Sequence, residues 1–174
     1  MNQKLKESGF TLIELIIVMA ILGVLAVISL ALIDPVERTA QARDANRITS
    51  VAQIGRALLA YYTDTSSYPA EANWAQDLVD TAGITFPTGS EYSANSIAPC
   101  TANVQPFDPP TYCYLIDATD GALVYAAAES ESQLSRCTTG EPYFVFSTAD
   151  GRGGTVCFVG EPTVWATGTQ VYVN

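Results

Sequence analysis

The sequence predicts an α+β protein in which a long N-terminal helix packs on a C-terminal antiparallel β-sheet. Three observations support this fold class. Residues 10–33 form one apolar run, residues 34–62 combine a helix-start signal with apolar residues at helical spacing, and the chain from Tyr112 onward consists of short β-type runs between turns. We therefore expect the first half of the helix to span a membrane. The second half should be amphipathic and covered by the sheet.

The apolar run from Phe10 to Ile33 has the length of a membrane-spanning helix, and Glu14 is its only charged residue. Its 24 residues would extend about 36 Å as an α-helix, which exceeds the ~30 Å hydrocarbon core of a bilayer. A secretory signal peptide is the alternative, because Lys4 and Lys6 precede the run. The apolar region of such a signal is only about 7–15 residues long, so the length favours a membrane anchor.

The composition changes at Asp34-Pro35, where a new helix start is predicted. Asp34 suits the N-cap, Pro35 suits the first helical position, and Glu37 places an acid in the first turn. Turn-forming residues are frequent from 63 to 69, so the helix is expected to end at about residue 62.

Within this second helix, apolar residues recur at intervals of three and four and predict a buried stripe. The stripe consists of Ile48, Val51, Ala52, Gly55, Leu58, Leu59 and Tyr62. Arg47, Gln53 and Arg56 are assigned to the other, solvated faces of the helix.

The remainder of the chain predicts one short helix and an antiparallel sheet. The helix is expected from Trp74 to Val79, and residues 83–110 are rich in turn formers and predict no regular element. Asp-Gly pairs separate some of the later β-type runs and favour hairpins. The predicted strands are 112–116, 123–127, 143–147 and 155–159, with a fifth at 170–173.

The charge distribution excludes a nucleic-acid-binding role. Two lysines balance two glutamates before residue 34, so the whole net charge of −10 lies in the rest of the chain. An acidic domain repels phosphate backbones, since nucleic-acid affinity comes largely from lysine and arginine.

Four cysteines lie in the acidic part of the chain, and their even number predicts two disulfides in an oxidising compartment. Three pairings are open. Cys100 with Cys113 and Cys137 with Cys157 are favoured because each closes a short loop. A zinc site is disfavoured, since the sequence has no histidine and no C-x-x-C spacing. The disulfides also favour a membrane orientation with the N-terminus inside and the C-terminus outside.

The sequence offers no catalytic constellation and calls for no cofactor. Without histidine, Ser-His-Asp and Cys-His arrangements are impossible, and disulfide-bonded cysteines are not nucleophiles. We therefore predict that the protein is not an enzyme. Asp117 and Asp120 are candidate calcium ligands. The preferred interpretation is that Asp120-Gly121, like Asp150-Gly151, forms a turn.

Residues 9–14 have the sequence Gly-Phe-Thr-Leu-Ile-Glu, follow a lysine-bearing leader and open directly into the apolar helix. This combination resembles the type III signal of type IV pilins and type II secretion pseudopilins. The resemblance is strongest over residues 1–33. The helical extension and the Tyr68-Pro69 turn are similar to pseudopilin-type members, and beyond Pro69 only the general pilin-like architecture is similar.

The resemblance implies a role for each residue of the motif. Residues 1–9 would be a leader that a prepilin peptidase removes between Gly9 and Phe10, after which the same enzyme methylates the Phe10 amine. Residues 10–33 would be the transmembrane and assembly helix, and residues 34–174 an extracytoplasmic domain. Glu14 would pair with the N-terminal amine of a neighbouring subunit and set the axial register. Its alternative role is that of a first-turn acid favoured by the helix dipole.

The expected function is that of a structural subunit of a type IV pilus or pilus-like filament. A pseudopilin of a type II secretion or DNA-uptake system is the second interpretation. A membrane-tethered adhesin or minor pilin at a filament tip is the third, with residues 73–110 as its candidate ligand-binding segment. Expected partners are the peptidase, identical or related subunits, an inner-membrane assembly platform and, before assembly, the lipid bilayer. The chain would start as a single-pass inner-membrane protein and end in an extracellular or periplasmic filament.

Overall fold

A computed structural model describes residues 9–32, 34–85, 112–119 and 121–173 of the chain. These residues form helices followed by a four-stranded antiparallel sheet, which is the predicted α+β class. The chain divides into two compact units, Met1–Arg38 and Thr39–Asn174, and each is described by itself.

The first unit contains helix α1, Leu12–Leu32, and the start of helix α2, Pro35–Thr65. The predicted helix start is confirmed. Asp34 Oδ1 accepts hydrogen bonds from the backbone amides of Val36 at 3.0 Å and Glu37 at 3.2 Å. This cap satisfies two of the amide groups that have no partner inside a helix. Pro35 is the first residue of α2, where the missing amide hydrogen of proline has no consequence.

Helix α2 ends three residues later than predicted, at Thr65. Ser66 adopts a left-handed conformation with φ of 59°, and its amide donates to the Tyr62 carbonyl at 2.8 Å. Helix α3, Trp74–Ala82, begins where it was predicted and continues one turn further. Gly83, with φ of 64°, ends it through a hydrogen bond from its amide to the Val79 carbonyl.

Four strands form a meander in which each strand pairs with the next in antiparallel orientation. They are β1 Cys113–Asp117, β2 Gly121–Ala127, β3 Glu141–Ser147 and β4 Arg152–Phe158. A short helix α4, Glu131–Leu134, which the sequence did not predict, lies between β2 and β3. The predicted fifth strand at 170–173 is reduced to one isolated bridge between Val173 and Thr155.

Alternate residues of the strands are buried on opposite faces of the sheet. The inner face packs against α2 and α3 through Val51, Ile54, Leu58, Trp74, Leu78, Tyr114, Val124, Phe144 and Phe146. Gly55 of α2 lies directly under the Phe146 ring, because a Cβ atom at this position would overlap the ring. The approach of the helix to the sheet therefore depends on a residue without a side chain.

The outer face of the sheet is covered by the C-terminal segment, residues 161–173. Trp165 and Tyr172 of this segment pack with a cluster formed by Cys113, Leu123, Tyr125, Tyr143, Val145 and Val156. Asp150, in the turn before β4, fixes the segment. Its Oδ2 accepts from Trp165 Nε1 and from the Tyr172 hydroxyl, both at 2.9 Å, and its Oδ1 accepts from the Gly168 amide at 2.7 Å.

A buried ion cluster joins residues 43–47 of α2 to the loop after β2. Arg47 donates from Nη1 to Asp44 and from Nη2 to Glu129, both at 2.9 Å, and Arg43 makes a two-point contact with Glu129. Asp44 also accepts the amides of Glu129 and Ser130 and the Ser130 hydroxyl, at 2.7–3.1 Å. The hydrogen bonds that Arg43 donates to Glu129 raise the pKa of Arg43 and outweigh the opposing effect of burial.

The cluster corrects the assignment of helix faces made from the sequence. Arg47, assigned to a solvated face, has a relative exposure of 0%, whereas Ile48 and Tyr62, assigned to the buried stripe, are 42% and 45% exposed. The physical reason is that the Arg47 charge is neutralised by Asp44 and Glu129, so its burial is compatible with folding. Gln53 and Arg56 are exposed as predicted.

One of the two favoured disulfides is present among the described residues. Cys137 and Cys157 are bonded, with their Cα atoms 5.7 Å apart, and tie the end of the α4 region to β4. Cys113 is also disulfide-bonded. Its predicted partner, Cys100, lies outside the described residues, so this pairing stays a prediction.

Replacing Asp44 with alanine should destabilise the second unit by about 3–5 kcal/mol, since it leaves the Arg47 charge buried with one partner fewer. The free energy of unfolding of the full chain in zwitterionic micelles, followed by tryptophan fluorescence, measures this change. The control is the same substitution at Asp64, an exposed residue of the same helix, which should change stability by at most about 0.5 kcal/mol. Equal effects of the two variants would contradict the structural role of the cluster.

The anchoring of the C-terminal segment should weaken in acid. Burial opposes the ionised form of Asp150, but the hydrogen bonds from Trp165, Gly168 and Tyr172 outweigh it and lower the pKa of this carboxyl. A lowered pKa means that the stabilisation is present above the unfolded-state value, about 3.9, and is lost as the pH falls through the folded-state value. As the pH is lowered from about 5, the midpoint temperature of unfolding should therefore fall more steeply for the wild type than for Asp150→Asn. Tyr172→Phe, which removes one donor, should be intermediate. Parallel curves for all three proteins would show that Asp150 does not fix the segment.

Candidate functional site

The candidate site is the N-terminal segment, residues 9–14, which leads into α1. Gly9, Phe10 and Thr11 precede the helix and have no regular secondary structure. No atom lies within 4 Å of the place where a Gly9 side chain would be, and Phe10 is 83% exposed. The peptide bond between Gly9 and Phe10 therefore lies in an open, non-helical stretch, which is the state that a peptidase requires. Residues 1–8, including Lys4 and Lys6, lie outside the described part of the chain.

Thr11 and Glu14 form a reciprocal cap at the start of α1. The Glu14 amide donates to Thr11 Oγ1 at 3.3 Å, while Glu14 Oε2 accepts from the Thr11 amide at 3.0 Å and from its hydroxyl at 2.8 Å. This is a capping box, in which a threonine at the N-cap and a glutamate three residues later satisfy each other's backbone amides. The Thr-x-x-Glu spacing of a capping box is present in the sequence, although this cap was not among the predictions.

The cap offsets part of the cost of a carboxylate at the start of an apolar helix. Glu14 accepts two hydrogen bonds from Thr11 and lies at the positive end of the helix dipole. An ionised carboxylate offers about four lone-pair sites, and Thr11 uses two of them. Glu14 can therefore accept a further donor while it continues to cap its own helix.

Helix α1 presents an apolar surface that the described chain does not cover. Every side chain from Leu12 to Ser29 is exposed, and this stretch of 18 residues has a mean hydropathy of 2.8. The 21 residues of the helix correspond to about 31 Å, close to the hydrocarbon thickness of a bilayer. By length and composition α1 could cross a membrane, and apolar surface of this extent calls for lipid or other protein around it.

The other candidate residues from the sequence lie apart from this segment in the chain. Asp117, proposed as a calcium ligand, accepts the Thr119 amide at 2.7 Å in the turn after β1. Asp120 lies outside the described residues. Among the residues that the structure describes, no group of three or more acidic, cysteine or histidine side chains could hold a metal ion. Asp117 thus has a local backbone partner, and calcium binding stays an untested prediction.

Comparison with known proteins bears on the same N-terminal region. A family model described as the prokaryotic N-terminal methylation motif matches residues 4–30. This match includes the whole N-terminal segment and most of α1. No significant match was found among curated proteins or among solved structures. The prepilin signal inferred from residues 9–14 is thereby confirmed.

Proposed function

We propose that this chain, which carries a type IV pilin-like prepilin signal at residues 4–30, is a structural subunit of a type IV pilus or pilus-like filament. The observation that carries the proposal is the joint presence of this signal and an apolar helix that exposes every described side chain from Leu12 to Ser29. Such a helix suits two surroundings of equal polarity, lipid before assembly and neighbouring helices afterwards. The proposed role is structural, not enzymatic.

In this proposal the chain is the substrate of its processing enzyme. A prepilin peptidase cuts between Gly9 and Phe10, and the new Phe10 amine is then methylated. Two features of the segment support cleavage here. Gly9 has no side chain to obstruct the enzyme, and the bond lies before the helix begins.

Cleavage creates a positive charge one residue before the Thr11 cap, and Glu14 provides the matching negative charge. An ammonium group and a carboxylate attract each other strongly in an apolar environment, whereas each alone would be unfavourable there. Glu14 has acceptor capacity beyond its two bonds to Thr11. We assign its remaining capacity to the N-terminal amine of a neighbouring subunit, which would fix how far adjacent helices are staggered.

The proposed location follows from the apolar helix and the disulfides. The precursor would be held in the inner membrane with its N-terminus inside. The Cys137–Cys157 bond supports an oxidising compartment for the second unit. An assembly platform in that membrane would move subunits between bilayer and filament. The mature filament would be extracellular or periplasmic.

A pseudopilin of a type II secretion or DNA-uptake system is the second candidate. The feature that favoured it, the Tyr68-Pro69 turn, has a packing role in this domain. The Pro69 carbonyl accepts the Tyr114 hydroxyl at 2.9 Å, and the Tyr68 ring stacks on Tyr62 with centroids 4.7 Å apart. A packing role does not favour one filament over the other. The segment considered for the adhesin alternative, 73–110, lies mostly outside the described residues.

Replacing Gly9 with leucine should leave uncleaved precursor in the membrane, because the side chain obstructs the peptidase. The measurement is mass spectrometry of the chain recovered from the membrane and from filaments. The wild type should begin at Phe10 with one additional methyl group. The control is Gly23→Leu in the middle of α1, where a side chain likewise meets no atom within 4 Å. Normal processing of the Gly9 variant, or a wild-type N-terminus near residue 32, would contradict the cleavage assignment.

The charge of Glu14 and its cap can be separated by two substitutions. Glu14→Gln keeps a capping-box side chain but removes the charge, so it should be inserted and processed normally. We expect it to reduce filament number by about tenfold or more, because every contact between neighbouring subunits loses one partner of a buried charge pair. Thr11→Val removes the side-chain cap and keeps the charge, so it should assemble far better than Glu14→Gln. The measurement is the number of filaments counted by electron microscopy. Normal assembly of the Glu14→Gln variant would exclude charge pairing.

A further inference from the structure

A cleft of about 800 Å³ opens at one end of the sheet in the second unit. Four parts of the chain meet there: the C-terminal end of α2, the turn between β1 and β2, the turn between β3 and β4, and the turn of the C-terminal segment. Ligand sites in proteins commonly have volumes of about 300–1,000 Å³. The cleft is thus of the size that holds a small ligand, and nothing in the proposed filament function uses it.

Specific contacts hold the walls of the cleft in place. Gly121 has φ of 90°, and a side chain there would approach Thr148 Oγ1 to 2.7 Å, so the wall at this point can only be a glycine backbone. Thr148 Oγ1 accepts the Ala122 amide at 2.7 Å and donates to the Ala122 carbonyl at 3.0 Å. Thr167 Oγ1 donates to the Ala149 carbonyl at 3.0 Å and joins the C-terminal segment to the β3–β4 turn. The cleft is therefore formed before any ligand binds.

The lining combines an aromatic surface with hydroxyl groups. Tyr62 lines the cleft, is 45% exposed and stacks on Tyr68. Ser66, Ser67 and Thr119 also line it and carry hydroxyl groups that donate and accept hydrogen bonds. Exposed aromatic rings beside hydroxyl groups suit a ligand with one apolar face and many polar edges.

The charge of the cleft restricts the ligand further. Asp117 is among the described lining residues, and none of these residues is lysine or arginine. The net charge of the chain is −10. Phosphates, carboxylates and other anions are therefore disfavoured, since none of the described lining residues carries a positive charge to bind them. A neutral, polyhydroxylated ligand meets no such penalty.

We propose that this cleft binds a neutral saccharide. The C–H face of one sugar ring stacks on the Tyr62 ring, and the ring hydroxyls exchange hydrogen bonds with Ser66, Ser67 and Thr119. The volume exceeds the needs of one sugar ring, and the cleft is open to solvent, so a chain of two or more sugars fits better than a monosaccharide. The proposal does not depend on filament assembly, because all of the described lining residues belong to the second unit.

Saturation-transfer NMR of the full chain tests the proposal. The protein is placed in zwitterionic micelles, because detergents with sugar headgroups would compete for the cleft. Cellobiose, lactose and chitobiose serve as neutral probes, glucose as the monosaccharide, and sialyllactose as the anionic probe. We expect saturation transfer to the ring protons of at least one neutral disaccharide, at a lower sugar concentration than glucose requires. Sialyllactose should show weaker transfer than that disaccharide.

Two variants of Tyr62 test the location of the site. Tyr62→Ala removes the stacking ring and should weaken binding by about tenfold or more, which corresponds to about 1.4 kcal/mol or more. Tyr62→Phe keeps the ring and should bind like the wild type. Val159→Ala, an exposed residue outside the cleft, controls for effects of surface truncation. Circular dichroism shows whether each variant folds.

Three outcomes would overturn the proposal. The first is the absence of transfer to every neutral probe, and the second is stronger binding of sialyllactose than of lactose. The third is unchanged binding by a folded Tyr62→Ala variant, which would place any saccharide site elsewhere. If the alanine variant does not fold, Tyr62→Leu keeps an apolar side chain without a ring and replaces it in the same comparison.

Discussion

The salt bridges from Arg47 to Asp44 and Glu129 fix the position of α2 on the sheet. Arg47 has no exposed surface, and its Nη2 reaches a carboxylate that lies 82 residues further along the chain. A buried charge is strongly unfavourable unless it is paired, so this helix can dock only where Glu129 and Ser130 meet it. The apolar contacts of the inner face then have to form in one register. Gly55 comes to lie under Phe146, and Tyr62 reaches the end of the sheet where the cleft opens.

The first unit differs from the second in that α1 has an apolar surface that no described part of the chain covers. Its one carboxylate, Glu14, is kept at the helix start by the Thr11 cap. Caps of this kind contribute about 1 kcal/mol, which is small beside the cost of leaving a charge in hydrocarbon without a partner. The cap and the proposed intersubunit pair are compatible, because a carboxylate accepts several hydrogen bonds. One side chain can therefore begin the helix and take part in assembly.

The sheet is buried on both faces, and different interactions attach the covering segment on each face. Helices cover the inner face through apolar packing, whereas a segment without regular strand structure covers the outer face. That segment depends on Asp150, on the stacking of Arg152 over the Tyr172 ring at 4.0 Å and on one backbone bridge to Thr155. Polar contacts of this kind hold a segment in place while its aromatic side chains supply the burial. The same segment contributes Thr167 to the cleft, so its position affects the core and the cleft together.

The sequence by itself determined the local elements and the N-terminal signal. The start of a helix depends on the residues next to it, so Asp34 and Pro35 predicted the start of α2. The alternation of apolar residues predicted the four strands to within a few residues. The prepilin signal was also readable, because a peptidase recognises a short continuous stretch. Only the tertiary structure decided that Arg47 is buried, that residues 170–173 form a bridge in place of a strand, and that a cleft opens beside Tyr62. Each of these features depends on groups that are distant in the chain, namely Glu129, Asp150 and the hairpin turns. The spacing of residues along the chain does not predict such partners.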